Sequence, residues 1–483
     1  MLRKTAEDRR RLWTQTARLV EDYLEGVDSL PVSPKYSPQE IQDFVEGFDF
    51  RTPHDSLSII ETVAEQLKER QVHSTSANYY GLFNPESTTM GIAADFLVAA
   101  FNPQLAAWNA SPFAIELEQH LIRTFGELFG YEKQTTDGTF TSGGAEANLT
   151  AVLCALTDRF PGVLRNGLRT LEKTPTIYAS RESHDSLLKA ARIVGLGDDA
   201  FKMMTVGEDL RLEPSRVEQA IKDDIASGYA PFMIVATAGT TNAGIIDPIQ
   251  ELGALARKYK LWFHVDAAWG GAAAFAPSLH KYLSGMDQSD SITFDCHKWL
   301  SVPMGAGVLI TRHPAILTET FAIDADYMPA DGKKLNRVDP YLHSVQWSRR
   351  FIGLKVFASL AERSIDGYSE IIEHQVSMGQ LLRKSLTDNG WNVLNPTPLP
   401  IACFTDANGP EEQREHLSAI LEHVLASGNA WLSTTTLGTG ATVLRACITN
   451  FRTDESNIKK LIESLDRARN EISHSLSSQG KRA

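Results

Sequence analysis

Cysteine is scarce in this chain. The four residues, Cys154, Cys296, Cys403 and Cys447, are far apart and form no C-x-x-C pair. That excludes a zinc knuckle and a disulfide framework and points to reduced thiols in a cytoplasmic protein. Long apolar runs are also missing. No stretch reaches the roughly 18 residues of a membrane span, and the basic N-terminus (Arg3, Lys4, Arg9 to Arg11) has no apolar segment behind it, so no signal peptide is expected. Positive charge is in deficit: 47 Lys and Arg against 60 Asp and Glu give a net charge of −13. With no basic stripe, nucleic acid is not an expected partner. No G-x-G-x-x-G opens a strand–helix–strand unit, which disfavours a nicotinamide dehydrogenase, and no glycine loop continues into Gly-Lys-Ser/Thr, which excludes a P-loop. His264 and His297 have no third spaced ligand, so no metal is expected. There is no internal repeat.

What is present is ordinary in amount and informative in order. A hydrophobic content of 42% and a charged content of 22% describe a globular protein, and 483 residues are enough for two or three folded units. Residues 1–77 read as helical: Leu12 to Leu24 is amphipathic, Pro38 follows a Ser37 cap, and Ile59 to Leu67 forms another helix. Such a segment can hardly bury its apolar faces alone. From 78 to 365, β-rich runs at Thr176 to Tyr178, Met233 to Thr237, Trp262 to Ala268, Ser291 to Phe294 and Gly307 to Ile310 alternate with helical stretches. This predicts an α/β fold with a mainly parallel sheet and a ligand site beyond the carboxyl ends of the strands. Residues 366–483, with strands at Ile401 to Phe404 and Val443 to Cys447, read as a smaller α+β domain. Its Ser-rich tail after Ser473 is expected to fray.

Two of the predicted strand ends carry the chemistry. Trp262 to Ala268 delivers Asp266, and Asp295-Cys296-His297-Lys298-Trp299 delivers Lys298. An amine that takes up an aldehyde and a carboxylate that pairs with a pyridinium nitrogen are the protein groups that pyridoxal 5'-phosphate requires. Upstream, Thr141-Ser142-Gly143-Gly144-Ala145-Glu146-Ala147-Asn148 places two glycines before a run of helix formers. A helix start of this kind presents free N–H groups to a phosphate.

With these motifs in this order, the chain resembles the group II pyridoxal-phosphate-dependent amino-acid decarboxylases, the family of aromatic-L-amino-acid, glutamate and diaminobutyrate decarboxylases. The resemblance runs from about residue 70 to 455. It implies the fold-type I transferase architecture: a helical dimerisation arm, a large cofactor-binding α/β domain and a small C-terminal domain. It also implies a homodimer with active sites near the subunit interface and an amino acid as substrate. In residues, it implies that Gly143, Gly144 and Ala145 hold the phosphate (Ala145 standing where a hydroxyl residue is often found), that Ala268 packs beneath the ring, that Thr237 touches the side of the ring oxygen, and that His297 contacts the phosphate. His184, in Ser183-His184-Asp185-Ser186, is implied to stack on the ring near the departing carboxylate. Tyr80, Phe83 and Trp108 are implied to line the substrate site, and Arg445 to stand near the substrate carboxylate.

The family's loop tyrosine is the departure. Counted back from Ser348-Arg349-Arg350-Phe351, its position falls on Pro340, leaving Tyr341 and Tyr327 as alternatives beside His184. The expected reaction is decarboxylation of an L-amino acid, aromatic or apolar, to the amine. Other chemistry on the same fold remains open, namely aldehyde formation, transamination or aldol-type cleavage, as does a non-catalytic binding role.

Overall fold

The computed structural model describes residues 3–323, 335 and 337–479. Three helices open the chain: α1 (Ala6–Gly26), α2 (Pro38–Glu46) and α3 (Ser56–Glu69). Each starts on a side-chain cap, from Thr5, Ser37 and Asp55 respectively, which satisfies first-turn N–H groups that lack an intrahelical acceptor. None of the three contains a buried residue. Their apolar stripes are not covered by the chain's own core.

Two further helices, α4 (Thr89–Phe101) and α5 (Pro112–Leu128), lead into the large sheet. Its strands are β1 (Asp137–Thr141), β2 (Pro175–Ser180), β3 (Phe201–Met204), β4 (Ala230–Thr237), β5 (Trp262–Asp266), β6 (Ser291–Asp295) and β7 (Gly307–Thr311), in the order β1-β7-β6-β5-β4-β2-β3. The run from β3 through β2, β4 and β5 to β6 is parallel, while β7 lies antiparallel to both β6 and β1. β5 and β6 are buried along their whole length, as expected of parallel strands covered on both faces. The helix α6 (Gly144–Arg159) packs across the sheet. Register sets Thr237 beside Asp266, and Asp266 beside Thr293 two residues short of the end of β6. The carboxyl ends of β4, β5 and β6 therefore open side by side.

β1 was not anticipated as a strand, because Asp137 and Gly138 are poor strand formers. It pairs with β7 and runs straight into the glycine loop. The helix Gly353–Asp388 crosses the domain boundary expected at 365/366, with a break at Ser364, where φ is 62°. Beyond it, β8 (Trp391–Val393), β9 (Ile401–Asp406), β10 (Ser433–Thr436) and β11 (Thr442–Cys447) form an antiparallel sheet in the order β10-β11-β9-β8. The last helix spans Glu455–Gln479. A buried stripe of Ile458, Leu461, Leu465 and Ala468 anchors it, and extending a formed helix costs little.

Candidate active site

Asp266 ends β5. Its Oδ2 accepts a hydrogen bond from Asn148 Nδ2 at 2.9 Å and its Oδ1 one from the Ala268 N–H at 3.1 Å. Two donors fix the orientation of the carboxylate at the cavity wall. His264 lies two residues earlier on the same strand face. Burial pushes its pKa down to about 4, so the imidazole is neutral near pH 7.

Lys298 stands on the turn that joins β6 to β7. Its Nζ lies 3.0 Å from Asp295 Oδ2, and Asp295 is buried with Oδ1 unpartnered among the described residues. His297 accepts the Ala306 N–H at Nδ1 (3.2 Å), and burial holds its pKa below the usual imidazole range. The glycine loop presses against this turn. A Cβ on Gly144 would sit 3.0 Å from Asp295 Oδ2 and 3.2 Å from Ala268 Cβ, and one on Gly307 would sit 2.6 Å from Gly143 Cα. Only glycine allows the start of α6 to come this close. Ser142 N–H and Oγ–H both donate to Glu146 Oε2 (2.8 and 2.7 Å), and the first N–H groups of α6 point away from any intrahelical acceptor.

These elements enclose a cavity of about 320 Å³. Gly143, Gly144, Ala145, His184, Thr237, Asp266, Ala268, His297 and Lys298, all singled out from sequence, line it together. His184 Nδ1 meets Ser186 Oγ at 2.8 Å and accepts the Ser186 N–H at 3.1 Å, and Thr237 Oγ1 meets Ser183 Oγ at 3.1 Å. Phe83 is near the amine, its ring centroid 5.9 Å from Lys298 Nζ. It stacks on Trp269 at 4.4 Å, and Trp269 stacks on Trp299 at 5.6 Å. Arg445 packs its guanidinium 5.0 Å from the Phe83 ring. It gives Nε to the carbonyls of Thr241 and Asn242 and Nη1 to that of Gly81, while Nη2 is buried without a partner among the described residues.

Other expected residues are placed elsewhere. Tyr80 does not line the cavity. Its backbone bonds Trp431 and Cys447 of the small domain, and its ring turns into that domain's core. Trp108 also lies off the cavity wall, with its indole N–H on Glu116 and its backbone N–H on Asp339. Tyr341 is buried beside Trp347, bonded through its N–H to Ala106, and does not reach the cavity either. Tyr327 lies outside the described residues. Conversely, Asn148, Ser186, Trp269 and Asp295 line the cavity and were not singled out. Two signals were available in the sequence. Asn148 is four residues after Gly144 on one helix face, and Asp295 is three before Lys298.

An amine, a fixed carboxylate and a glycine-led helix start on one cavity fit pyridoxal 5'-phosphate. Comparison with known proteins agrees. A family model described as "Pyridoxal-dependent decarboxylase conserved domain" matches residues 42–405. Tryptophan decarboxylase 2 of Oryza sativa subsp. japonica is 26% identical, over 94% of this chain and 93% of its own. The 4-hydroxyphenylacetaldehyde synthase of Rhodiola rosea is 27% identical, over 92% and 91%. Among solved structures, Oryza sativa TDC with PLP and tryptamine superposes with a TM-score of 0.91 at 24% identity, covering 98% of this chain and 99% of that one.

Proposed function

Because the chain belongs to the pyridoxal-dependent decarboxylase family, we propose that its substrate is an aromatic L-amino acid, converted to the amine and carbon dioxide. The enzyme class and cofactor come with the family: this is a pyridoxal-phosphate-dependent amino-acid decarboxylase. The observation that carries the substrate class is Trp269, an aromatic ring on the cavity wall with Phe83 stacked against it near the Lys298 amine. Such a ring offers flat apolar surface to an aromatic side chain. The names of the relatives, tryptophan and tyrosine decarboxylases among them, support the same reading.

The cofactor, when bound, supplies the sink for the electron pair left on the α-carbon as carbon dioxide departs. The rest falls to the chain. Lys298 tethers the cofactor, with Asp295 as the partner of its ammonium form. Asp266, kept in place by Asn148 and the Ala268 N–H, would pair with the ring nitrogen. Gly143, Gly144 and Ala145 hold the phosphate with backbone donors and the positive end of α6. The apolar wall keeps water from the reacting carbon. Arg445, expected near the substrate carboxylate, is buried off the cavity wall and steadies the loops at Gly81 and Thr241. His184, the imidazole of the cavity wall, takes up a proton from solvent and returns it to the α-carbon.

We further read the protein as a cytoplasmic homodimer. In support, the four cysteines are buried and unpaired, and among the described residues no helix is long and apolar enough to cross a membrane. The arm helices have no buried residue, and Phe101 and Phe113 are 81% and 72% exposed beside an apolar groove. One observation favours a second reaction: with Pro340 at the family's tyrosine position and Tyr341 off the cavity, aldehyde formation is the alternative outcome.

Competition between substrate classes tests the substrate proposal. With cofactor-loaded protein and equal concentrations of L-tryptophan, L-tyrosine, L-DOPA, L-glutamate and L-2,4-diaminobutyrate, the aromatic substrates should be consumed first. Preferential loss of glutamate or diaminobutyrate would overturn the aromatic assignment.

A further inference from the structure

Behind the cavity wall lies a buried hydrogen-bond chain with Asn148 at its centre. Asn148 Nδ2 meets Asp266 Oδ2 and Ser186 Oγ, each at 2.9 Å. Its Oδ1 takes the Thr293 hydroxyl at 2.7 Å and meets His264 Nε2 at 3.1 Å. Beyond His264, Nδ1 meets Ser291 Oγ at 2.8 Å, which also accepts the Trp262 indole N–H at 2.9 Å. On the cavity side, Ser186 Oγ meets His184 Nδ1 at 2.8 Å. Asn148, Ser186, His264 and Thr293 are all buried.

Elementary chemistry fixes the direction of every bond. An ionised Asp266 only accepts, so the Asn148 atom facing it is the NH₂. The carbonyl Oδ1 then only accepts, so the neutral His264 carries its proton on Nε2. With its proton on Nε2, which also lies 3.3 Å from Thr293 Oγ1, His264 accepts from the Ser291 hydroxyl at Nδ1, while Ser291 Oγ accepts the Trp262 N–H. The second proton of the Asn148 amide goes to Ser186 Oγ, and because the Ser186 backbone N–H makes His184 Nδ1 an acceptor, the Ser186 hydroxyl proton turns to that nitrogen. The Ser186 backbone N–H points at the same nitrogen, at 3.1 Å. With two donors aimed at Nδ1, the neutral His184 ring carries its proton on Nε2, the nitrogen left to the cavity.

We propose that Asn148 is a positioning residue for the reaction: through Ser186 it couples Asp266 to His184 and holds the resting His184 ring with Nε2–H toward the cavity. Both ends of the coupling serve one event. The same amide that orients the carboxylate at the ring nitrogen directs the proton of the imidazole into the cavity. All four hydrogen-bonding positions of Asn148 are used, and no isosteric residue reproduces them. Outer-shell hydrogen bonds of this kind fix tautomer and ring orientation. The inference rests on the decarboxylase reading for its catalytic meaning, but not for its geometry.

The test reads the tautomer directly. The chain is labelled with ¹⁵N-histidine, and the His184 resonances are assigned by their loss in His184→Gln. Spectra are taken at pH 8 with and without pyridoxal 5'-phosphate. The wild type should show well-separated nitrogen shifts with the proton on Nε2. Asn148→Asp keeps the shape, but its carboxyl shares one proton with the facing Asp266, gives none to Ser186 and accepts the hydroxyl instead, so the two shifts should move toward each other. Unchanged separation in that variant, or a wild type protonated on Nδ1, would overturn the proposal.

Ser186→Ala, which leaves the Asn148–Asp266 bond intact, serves if Asn148→Asp does not fold. It should lower kcat by about 10- to 100-fold with KM little changed, and Ser186→Thr should recover the loss. Equal activity of the Ala and Thr variants would contradict the coupling. The nitrogen shifts need no turnover. A chain that shows them yet decarboxylates nothing supports the tautomer assignment and counts against the functional reading instead.

Discussion

Lys298 and Asp266 stand at the ends of neighbouring parallel strands, and both are legible from sequence for the same reason. A strand buried on both faces reads as an apolar run, so a charged residue at its end has few roles other than chemistry. Asn148 and Asp295 were harder to read. Their importance comes from what they touch: Asn148 reaches Asp266 across a separation of 118 residues, which no local pattern reports. The aromatic candidates divide for a geometric reason. In the segment Tyr79 to Phe83, backbone pairing with the small domain sends Tyr80 into one core and leaves Phe83 at the amine. Sequence order alone does not separate these two outcomes. At this scale Lys298→Ala is expected to abolish turnover with little change in melting temperature, because the amine is partly exposed and packs no core. Amine formation at wild-type rate by this variant would remove Lys298 from the reaction.

At the scale of elements, the start of the helix Gly353–Asp388 is fixed by one buried ion pair. Arg349 Nη2 lies 2.7 Å from Glu118 Oε2, and Glu118 Oε1 accepts the Ile352 and Gly353 N–H groups at 3.1 and 2.9 Å. Gly353 has no room for a Cβ, which would fall 2.5 Å from Glu118 Cγ. Ser348-Arg349-Arg350-Phe351 was noticed in the sequence, and the structure shows its Arg349 to be one half of a contact with Glu118. Replacing one partner leaves the other charge buried, so Arg349→Met should cost about 3–5 kcal/mol in chemical denaturation. A loss under about 1 kcal/mol would mean that water reaches the pair.

β5 makes a second prediction. Burial depresses the pKa of His264 from 6.5 to about 4. The unfolded chain thus takes up this proton first as pH falls. The stability linked to His264 is fully present above pH 6.5 and is lost, up to about 3 kcal/mol, as pH drops toward 4. His264→Gln should flatten the fall in melting temperature between pH 7 and pH 5. A variant curve parallel to the wild type would show that His264 does not remain neutral.

At the scale of the molecule, the strand–helix alternation made the parallel sheet readable, together with its division from an α+β C-terminal part. The antiparallel β7 and the strand β1 escaped, since strand direction and glycine-containing strands leave little trace in a periodicity. The N-terminal helices could be read as elements, but their fate depends on what covers them. Under the proposed dimer, a second copy of the chain covers the uncovered arm and the groove lined by Leu97, Phe101, Pro103, Phe113, Phe351 and Leu354. Phe101→Asp should therefore shift the protein from dimer to monomer in sedimentation and lower activity with it. A wild type that sediments as a monomer at micromolar concentration would remove the dimer from the account.

The central claim, that this cavity decarboxylates an aromatic amino acid to its amine, is tested most directly by the product balance. Cofactor-loaded protein is incubated with L-tryptophan and, separately, L-tyrosine, with amine, aldehyde, ammonia, hydrogen peroxide and carbon dioxide measured together. The account predicts one amine for each carbon dioxide, without peroxide or ammonia. Aldehyde with ammonia and peroxide, or consumption of the amino acid without carbon dioxide, would contradict it.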